Sequence, residues 1–202
     1  MCIRDSNVYI ISDGKATIVV DPTCKPDEII KAAGGSVDAI ILTHRHSDHV
    51  GAAKELRDKT GATVIASAID APIISGEKKL PRDDMRFTPC PVDHVVNDGD
   101  ILKIGDMPWK VILTPGHTEG GICLFIDPRF GTNPEGAPVL ISGDTLFCGS
   151  IGRTDFQGGD MNAMRRSLKR LAVLPDETVV LPGHNSTTKI GNERKRVFAY
   201  YA

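Results

Sequence analysis

With 202 residues, 41% of them hydrophobic and 25% charged, the chain has the composition of an ordinary globular protein and none of the bias of fibrous or disordered ones. A formal charge of -2 excludes a broad basic field for nucleic acid or anionic lipid, although Lys189, Arg194, Lys195 and Arg196 make one stretch locally basic. No apolar run approaches the roughly 20 residues that span a bilayer, and no charged-then-apolar leader opens the chain. The sequence therefore reads as cytoplasmic, with neither membrane nor nucleic acid as a partner.

Five cysteines (Cys2, Cys24, Cys90, Cys123 and Cys148) are odd in number, widely spaced and without a C-x-x-C pair. This argues against a disulfide framework or zinc ribbon and for a reducing compartment. The opening "MCIRDS", Met1 to Ser6, runs without lead-in into strand-like residues and is set aside as a truncated or artefactual start. One domain is expected over residues 7–202.

In chain order, "NVYIIS" and "ATIVVD" are short β-rich runs joined by "DGK", which predicts a hairpin turning at Asp13-Gly14. "KPDEIIKAAGG" predicts a helix: Pro26 and acidic residues start it, Ile29, Ile30 and Ala33 share a face, and Gly34-Gly35 stops it. "VDAIILT" reads as a buried strand that runs straight into "LTHRHSDHVG", Leu42 to Gly51. Val50, Ala53 and Leu56 then recur at helical spacing as far as Gly61, and "ATVIAS" predicts the next strand.

From Ala71 to Asp100 the chain is rich in Pro, Asp and Lys with weak periodicity, and is read as a loop or lid holding at most a short helix. "DILKIG", "WKVILTPGH", "GGICLFID" and "APVLISGDT" are four further strands. Asp160 is placed to cap a helix whose Met161, Met164, Leu168 and Leu171 fall at i, i+3, i+7 and i+10, and "ETVVLPGH" is a last strand. This β-first α/β order predicts two sheets, or one large sheet, layered with helices.

Half of the six histidines sit in "HRHSDH". Three more polar residues directly follow apolar runs: His117 after "VILTPG", Asp144 after "VLISG" and His184 after "VVLPG". Strand ends on one side of a layered α/β structure can converge on one crevice, which would gather five histidines and two aspartates and leave only His94 outside. Neutral imidazole and carboxylate are the usual donors for zinc and similar ions. His44 and His46, alternate residues at a strand end, can project the same way, while Asp48 and His49 face a neighbouring position past the bend.

Seven ligands are too many for one tetrahedral ion, whereas two ions about 3.5–4 Å apart with a shared carboxylate use them all. Asp144, alone on its strand end, is the candidate bridge. Two divalent ions, two aspartates and a bridging hydroxide leave a charge of about +1, suited to a developing oxyanion. Gly116, Gly143 and Gly183, each beside a proposed ligand, are expected to permit tight turns, and Cys123 and Cys148 to serve packing.

These residues resemble the hallmark of the metallo-β-lactamase superfamily, H-x-H-x-D-H followed by a separated His, Asp and His, from Asn7 to about Arg196. The resemblance implies an α/β fold, the four-layer αβ/βα sandwich, with a binuclear site at its sheet edges. It implies that His44, His46 and His117 hold one metal, that Asp48, His49 and His184 hold the other, and that Asp144 bridges them. Zinc is the first expectation, iron and manganese being accepted by the same donors.

"TPGHTEGGICLF", "SGDTLFCGSIGRTDF" and "LPGHNSTTKIGNER" look like glyoxalase II-related hydrolases, especially the short bacterial type. Longer glyoxalase II enzymes carry an added helical region with glutathione contacts that this sequence does not contain. Glutathione is then gripped differently, or another thioester is the substrate. The implied reaction is hydrolysis of a small-molecule thioester such as S-lactoylglutathione by a metal-bridging hydroxide, with Asp48 orienting the nucleophile and Asp144 sharing the catalytic work. "GRTDF", Gly152 to Phe156, also resembles persulfide dioxygenases of the same fold, in which one iron would be held by His44, His117 and Asp144. Arg153 and Asp155 are expected as an internal ion pair or turn brace rather than as substrate contacts.

Overall fold

The computed structural model describes residues 6–80, 87–127 and 136–202. β1 (Tyr9–Ser12) and β2 (Thr17–Val20) form the expected hairpin, with Ser12 opposite Thr17 and Gly14 at φ 83 in the turn. β2 pairs in parallel with β3 (Ala39–Ile41), β3 with β4 (Thr63–Ser67) and β4 with β5 (His94–Val96). The crossover from β2 to β3 is the helix α1 (Pro26–Ala32).

A second sheet begins as an antiparallel meander of β6 (Ile101–Ile104), β7 (Met107–Leu113), β8 (Ile122–Ile126) and β9 (Val139–Gly143). A short ribbon of β10 (Leu146–Phe147) and β11 (Ser150–Ile151) follows. After them comes a crossover helix that returns the chain to β12 (Val179–Pro182), parallel to β9, with β13 (Thr188–Lys189) on the edge.

Side-chain alternation sets the layers. Ile18, Val20, Ala39, Ile41 and Ile65 face Leu102, Trp109, Val111, Ile122, Leu124 and Ile141 between the sheets. The alternate residues Val19, Ile40, Val64 and Ala66 pack outward against Ile29, Ala53 and Leu56. On the far side Ile112, Cys123, Leu140 and Val180 meet Met164, Leu168 and Leu171, with Ile190, Val197 and Phe198 completing that layer. The result is helix, sheet, sheet, helix. Because β2 and β3 are covered on both faces, they read as unbroken apolar runs, and each fully buried aliphatic side chain contributes about 1.5–3 kcal/mol.

The expected helix beyond "HRHSDH" is two helices, α2 (Ser47–Val50) and α3 (Ala53–Thr60). Gly51 lies against the loop after β2, where a Cβ would come within 2.3 Å of the Thr23 carbonyl, and the Ala52 N–H donates to Pro22 O at 2.8 Å. That tie takes the backbone out of helical register and re-aims α3. The Ala71–Asp100 stretch, expected as a loop or lid with at most a short helix, holds the short helix α4 (Ala71–Ile74) and, beyond that expectation, the edge strand β5; residues 81–86 of it lie outside the described residues. β5 has three residues, two of them exposed, so it carries no apolar run to read.

The crossover helix before β12 is α5 (Met161–Leu171), and the Asp160 carboxylate accepts from the Ala163 N–H at 2.9 Å as a cap should. After β13 come α6 (Ile190–Glu193), a π-helical turn at Arg194–Phe198 and α7 (Ala199–Tyr201). The charges of Arg194 to Arg196 mask this element in the sequence, yet Ile190, Glu193 and Val197 are buried at helical spacing. Cys90, Cys123 and Cys148 are free thiols. Among the described residues no helix is long and apolar enough to cross a membrane.

Candidate metal centre

Four strands deliver the residues that the sequence singles out. His44 and His46 follow β3, with Asp48 and His49 on α2. His117 follows β7, Asp144 follows β9 and His184 follows β12. All these strands run toward the same edge of their sheets, and the seven side chains meet there; His94 lies apart on β5.

Two triads result. In one, His46 Nδ1 lies 3.1 Å from His44 Nε2 and 2.8 Å from His117 Nε2. In the other, His184 Nε2 lies 3.2 Å from Asp48 Oδ2 and 3.3 Å from His49 Nε2, with 3.5 Å between the latter two. A tetrahedral zinc with bonds of about 2.0–2.1 Å spaces its ligand atoms by roughly 3.3 Å, so both triads have the dimensions of a metal's ligand shell. Asp144 stands between them, Oδ2 at 3.4 Å from both His117 Nε2 and His184 Nε2 and Oδ1 at 3.4 Å from His49 Nε2. Oδ1 is buried with no hydrogen-bond partner, a costly state for a carboxylate oxygen unless a cation meets it. Donor chemistry, spacing and this oxygen all fit two divalent ions.

The outer contacts set the tautomers. The Arg153 carbonyl can only accept, so His117 Nδ1 must donate to it, at 2.7 Å, and Nε2 keeps its lone pair. Asp21 Oδ2 takes the Thr43 hydroxyl proton at 2.6 Å and the His49 Nδ1–H at 2.9 Å, while its Oδ1 accepts from the Thr43 N–H at 2.8 Å. With its one proton committed, the Thr43 oxygen accepts from His44 Nδ1 at 3.1 Å. His44 and His117 thus turn an unprotonated Nε2 toward the centre, and His49 is oriented with its Nε2 toward it. Asp21, with its oxygens occupied, belongs to this outer ring although it lies close enough to His44 and His49 to be taken for a ligand.

Burial holds His44 far below its ordinary pKa, lowers His46 to about 3 and lowers His117, leaving the neutral, metal-binding imidazole. His49 goes the other way. Burial disfavours its charge, but Asp144, Asp21 and Asp48 outweigh that and raise it to about 9 in the metal-free chain. A protonated His49 then balances carboxylates that a dication would otherwise neutralise.

Asp21, Thr43, Arg45 and Asp70 were not read as site residues from the sequence, although all are buried. Asp21 had a signal: it ends "ATIVVD" as Asp144 ends "VLISGD". It sits at φ 52, a left-handed conformation costing a non-glycine residue of order 1–3 kcal/mol, held by its three hydrogen bonds. Arg153 and Asp155 do form an ion pair, at 2.9 and 2.7 Å, but it is exposed at the rim, not internal. The Arg153 guanidinium stacks 4.2 Å from the centre of the Phe156 ring, which makes T-shaped contacts with the rings of His46 and His117 at 5.8 and 6.2 Å. Cys123 is buried as expected, and burial raises its thiol to about 11. Of the turn glycines, Gly183 is required for closeness: a Cβ there would lie 2.2 Å from Asp144 Oδ1.

A four-layer αβ/βα sandwich with paired metal-ligand triads at its sheet edges agrees with the family comparison, in which residues 3–184 match the metallo-beta-lactamase superfamily. The chain belongs to that superfamily, whose fold binds divalent metals and supports metal-dependent hydrolysis. Among its relatives, hydroxyacylglutathione hydrolase GloC of Haemophilus influenzae is 31% identical over 196 residues, covering 92% of this chain and 88% of that protein. The B3 metallo-beta-lactamase BLEG-1 superposes with a TM-score of 0.80 at 32% identity, over 96% of this chain and 93% of the other. TTHA1623 in a di-iron-bound form gives 0.77 at 32%, over 97% and 96%. ETHE1 from Myxococcus xanthus gives 0.75 at 28%, over 95% and 78%.

Proposed function

We propose that this chain is a binuclear metallohydrolase that cleaves a small-molecule thioester, with residues 7–202 acting as one domain in the cytoplasm. The observation that carries the reading is the Asp144 carboxylate between two complete triads, its Oδ1 buried without a hydrogen bond. His44, His46 and His117 would hold one ion, Asp48, His49 and His184 the other, and Asp144 both. When bound, such ions supply Lewis acidity and bring the pKa of water near 7.

The remaining work falls to the chain. Asp21, Thr43 and the Arg153 carbonyl accept from the outer Nδ1–H of His49, His44 and His117 and so keep the Nε2 of each aimed at the centre. Asp48, a fifth exposed where Asp144 is nearly covered, is the carboxylate that incoming water can reach, and would orient it. Phe156 forms an apolar wall on the open side next to His46. A thiolate, whose acid has a pKa of about 8.5, departs without the protonation that an amine requires, so this constellation suits thioesters better than amides. Similarity to GloC supports S-lactoylglutathione or a related glutathione thioester as the substrate, and zinc, iron or manganese are all compatible with the donors.

The second reading, a persulfide dioxygenase with one iron on His44, His117 and Asp144, draws on "GRTDF". It leaves His46, placed 2.8 Å from His117, without a task. Metal analysis of freshly purified protein, paired with assays of S-lactoylglutathione cleavage and persulfide-dependent O2 uptake, separates the two. Two metals per chain with thioester cleavage is the expected result; one iron with O2 consumption overturns it.

A further inference from the structure

Arg45 lies between two of the proposed ligands, yet its side chain points away from them into the protein and is fully buried. Its Nη1 donates to Asp70 Oδ1 at 3.0 Å, and its backbone N–H donates to Asp70 Oδ2 at 3.1 Å. The other arm, Nη2, donates to the Gln157 carbonyl at 2.8 Å. Asp70, from the residue before α4, also accepts from the Thr118 hydroxyl at 3.2 Å, and its own N–H donates to Ser67 Oγ at 3.1 Å. One buried pair therefore ties together the turn of His44 and His46, the loop of His117, and the loop carrying Arg153 and Phe156.

The surrounding backbone is shaped to this pair. Gly158, at φ +83, leaves no room for a side chain: a Cβ would lie 2.6 Å from Arg45 Nη2. A Cβ at Gly120 would lie 2.6 Å from the Asp70 carboxyl. Glu119, mostly exposed, reaches to 3.9 Å from Nη1 and adds a second carboxylate beside the guanidinium. A buried ion pair is weak evidence of stabilisation, because desolvation offsets its attraction, and its best-attested use is to specify geometry.

We propose that Arg45 and Asp70 are a positioning pair that seats the 153–158 rim loop against the histidine turn, so that Arg45 acts on substrate binding through Phe156 and Arg153 without touching the substrate. The forked guanidinium is what this requires, since its two arms bond separate partners in fixed directions. A lysine keeps the charge opposite Asp70 but cannot hold both.

The inference rests on no particular substrate, and the test is built to keep the two apart. In R45K, amide hydrogen exchange of the metal-free chain should speed up about tenfold over residues 153–160, at the Gly159 N–H among others, with α5 and the central strands unchanged. The loaded variant should keep its metal content, and its KM for S-lactoylglutathione should rise about fivefold with kcat within roughly twofold. Unchanged exchange in the rim loop, or a global loss of protection in its place, overturns the proposal. So does a kcat loss at constant KM. D70N leaves the guanidinium charge buried without its partner and is expected to unfold readily, so R45K is the deciding variant. Local acceleration in R45K with no thioester turnover by the unaltered protein would keep the positioning pair and discard the thioester reading.

Discussion

Asp144 and Asp21 do different work from similar positions at strand ends, and substitution separates them. Asp144 touches both triads and has a buried oxygen with no other partner. Asp144→Ala should abolish turnover and lower metal content together, measured by elemental analysis beside the activity assay; an inactive variant with two full metal equivalents contradicts the bridging role. Asp21 reaches the centre only through Thr43 and His49. Asp21→Asn offers an amide donor where the carboxylate accepted, disturbing the tautomer of His49 and the Thr43 hydroxyl. Outer partners of this kind contribute about 10–100-fold to metal affinity or activity, so chelator competition should show a weakened but occupied site. Wild-type affinity in Asp21→Asn would remove the tautomer argument.

Among the elements, the end of the sandwich opposite the metal centre depends on electrostatics that titrate away from it. Asp93, leading into β5, accepts from Arg57 of α3 at 3.2 and 2.7 Å and from the Val64 N–H of β4 at 2.9 Å. The guanidinium, first, and that amide hold its carboxyl below the ordinary 3.8. A folded pKa below the unfolded one stabilises above the unfolded value, and the gain disappears as pH falls through the folded value. Asp93→Asn should therefore lower the urea midpoint at pH 7, by an amount that shrinks as pH falls below the unfolded value of 3.8. A deficit of constant size across that range would point to packing instead.

On the other outer layer, α5 is set by its cap and its buried stripe. Asp160→Ala should cost about 1 kcal/mol and Leu168→Ala about 2–5 kcal/mol, read from denaturant midpoints with unchanged slopes. A larger loss from the cap than from the core residue would reverse this account of the layer.

At the scale of the whole molecule, the candidate metal centre draws its residues from both sheets, so an ion bound there would clasp them together. His46 comes from the sheet of β1 to β5, and His117, 2.8 Å away, comes from the sheet of β6 to β9, β12 and β13. Any ion that bridges them binds the folded chain only. Chelation should then lower the melting temperature, and re-addition should raise it in a concentration-dependent way, by about 2.7 kcal/mol of added stability at a hundredfold excess over Kd. A midpoint indifferent to chelator and to added zinc would mean that no ion spans the two sheets.

The sequence was informative wherever one residue pattern carried one physical cause. Period-two and unbroken apolar runs marked β2, β3, β4, β7, β8, β9 and β12, and a cap with an apolar stripe marked α5, because burial selects those side chains directly. The candidate ligands were legible for a related reason: His44, His46, His117, Asp144 and His184 stand just past the end of an apolar strand, and Asp48 and His49 follow within the same histidine-rich turn. The break at Gly51 was not legible, because it follows from the Thr23 and Pro22 carbonyls, nearly thirty positions away in the chain. Nor was β5, which owes its pairing to β4 rather than to its own residues.

By itself, then, the sequence determined the layering and singled out the candidate ligands, since both depend on the nature of side chains and their spacing along a strand. Tertiary structure alone decided which nitrogen of each histidine faces inward, how Asp21 and Thr43 enforce it, and that Arg45, in the middle of "LTHRHSDHVG", turns away to hold the rim. Those outcomes depend on partners brought together from distant segments, and a hydrogen bond has no direction until both of its ends are in place.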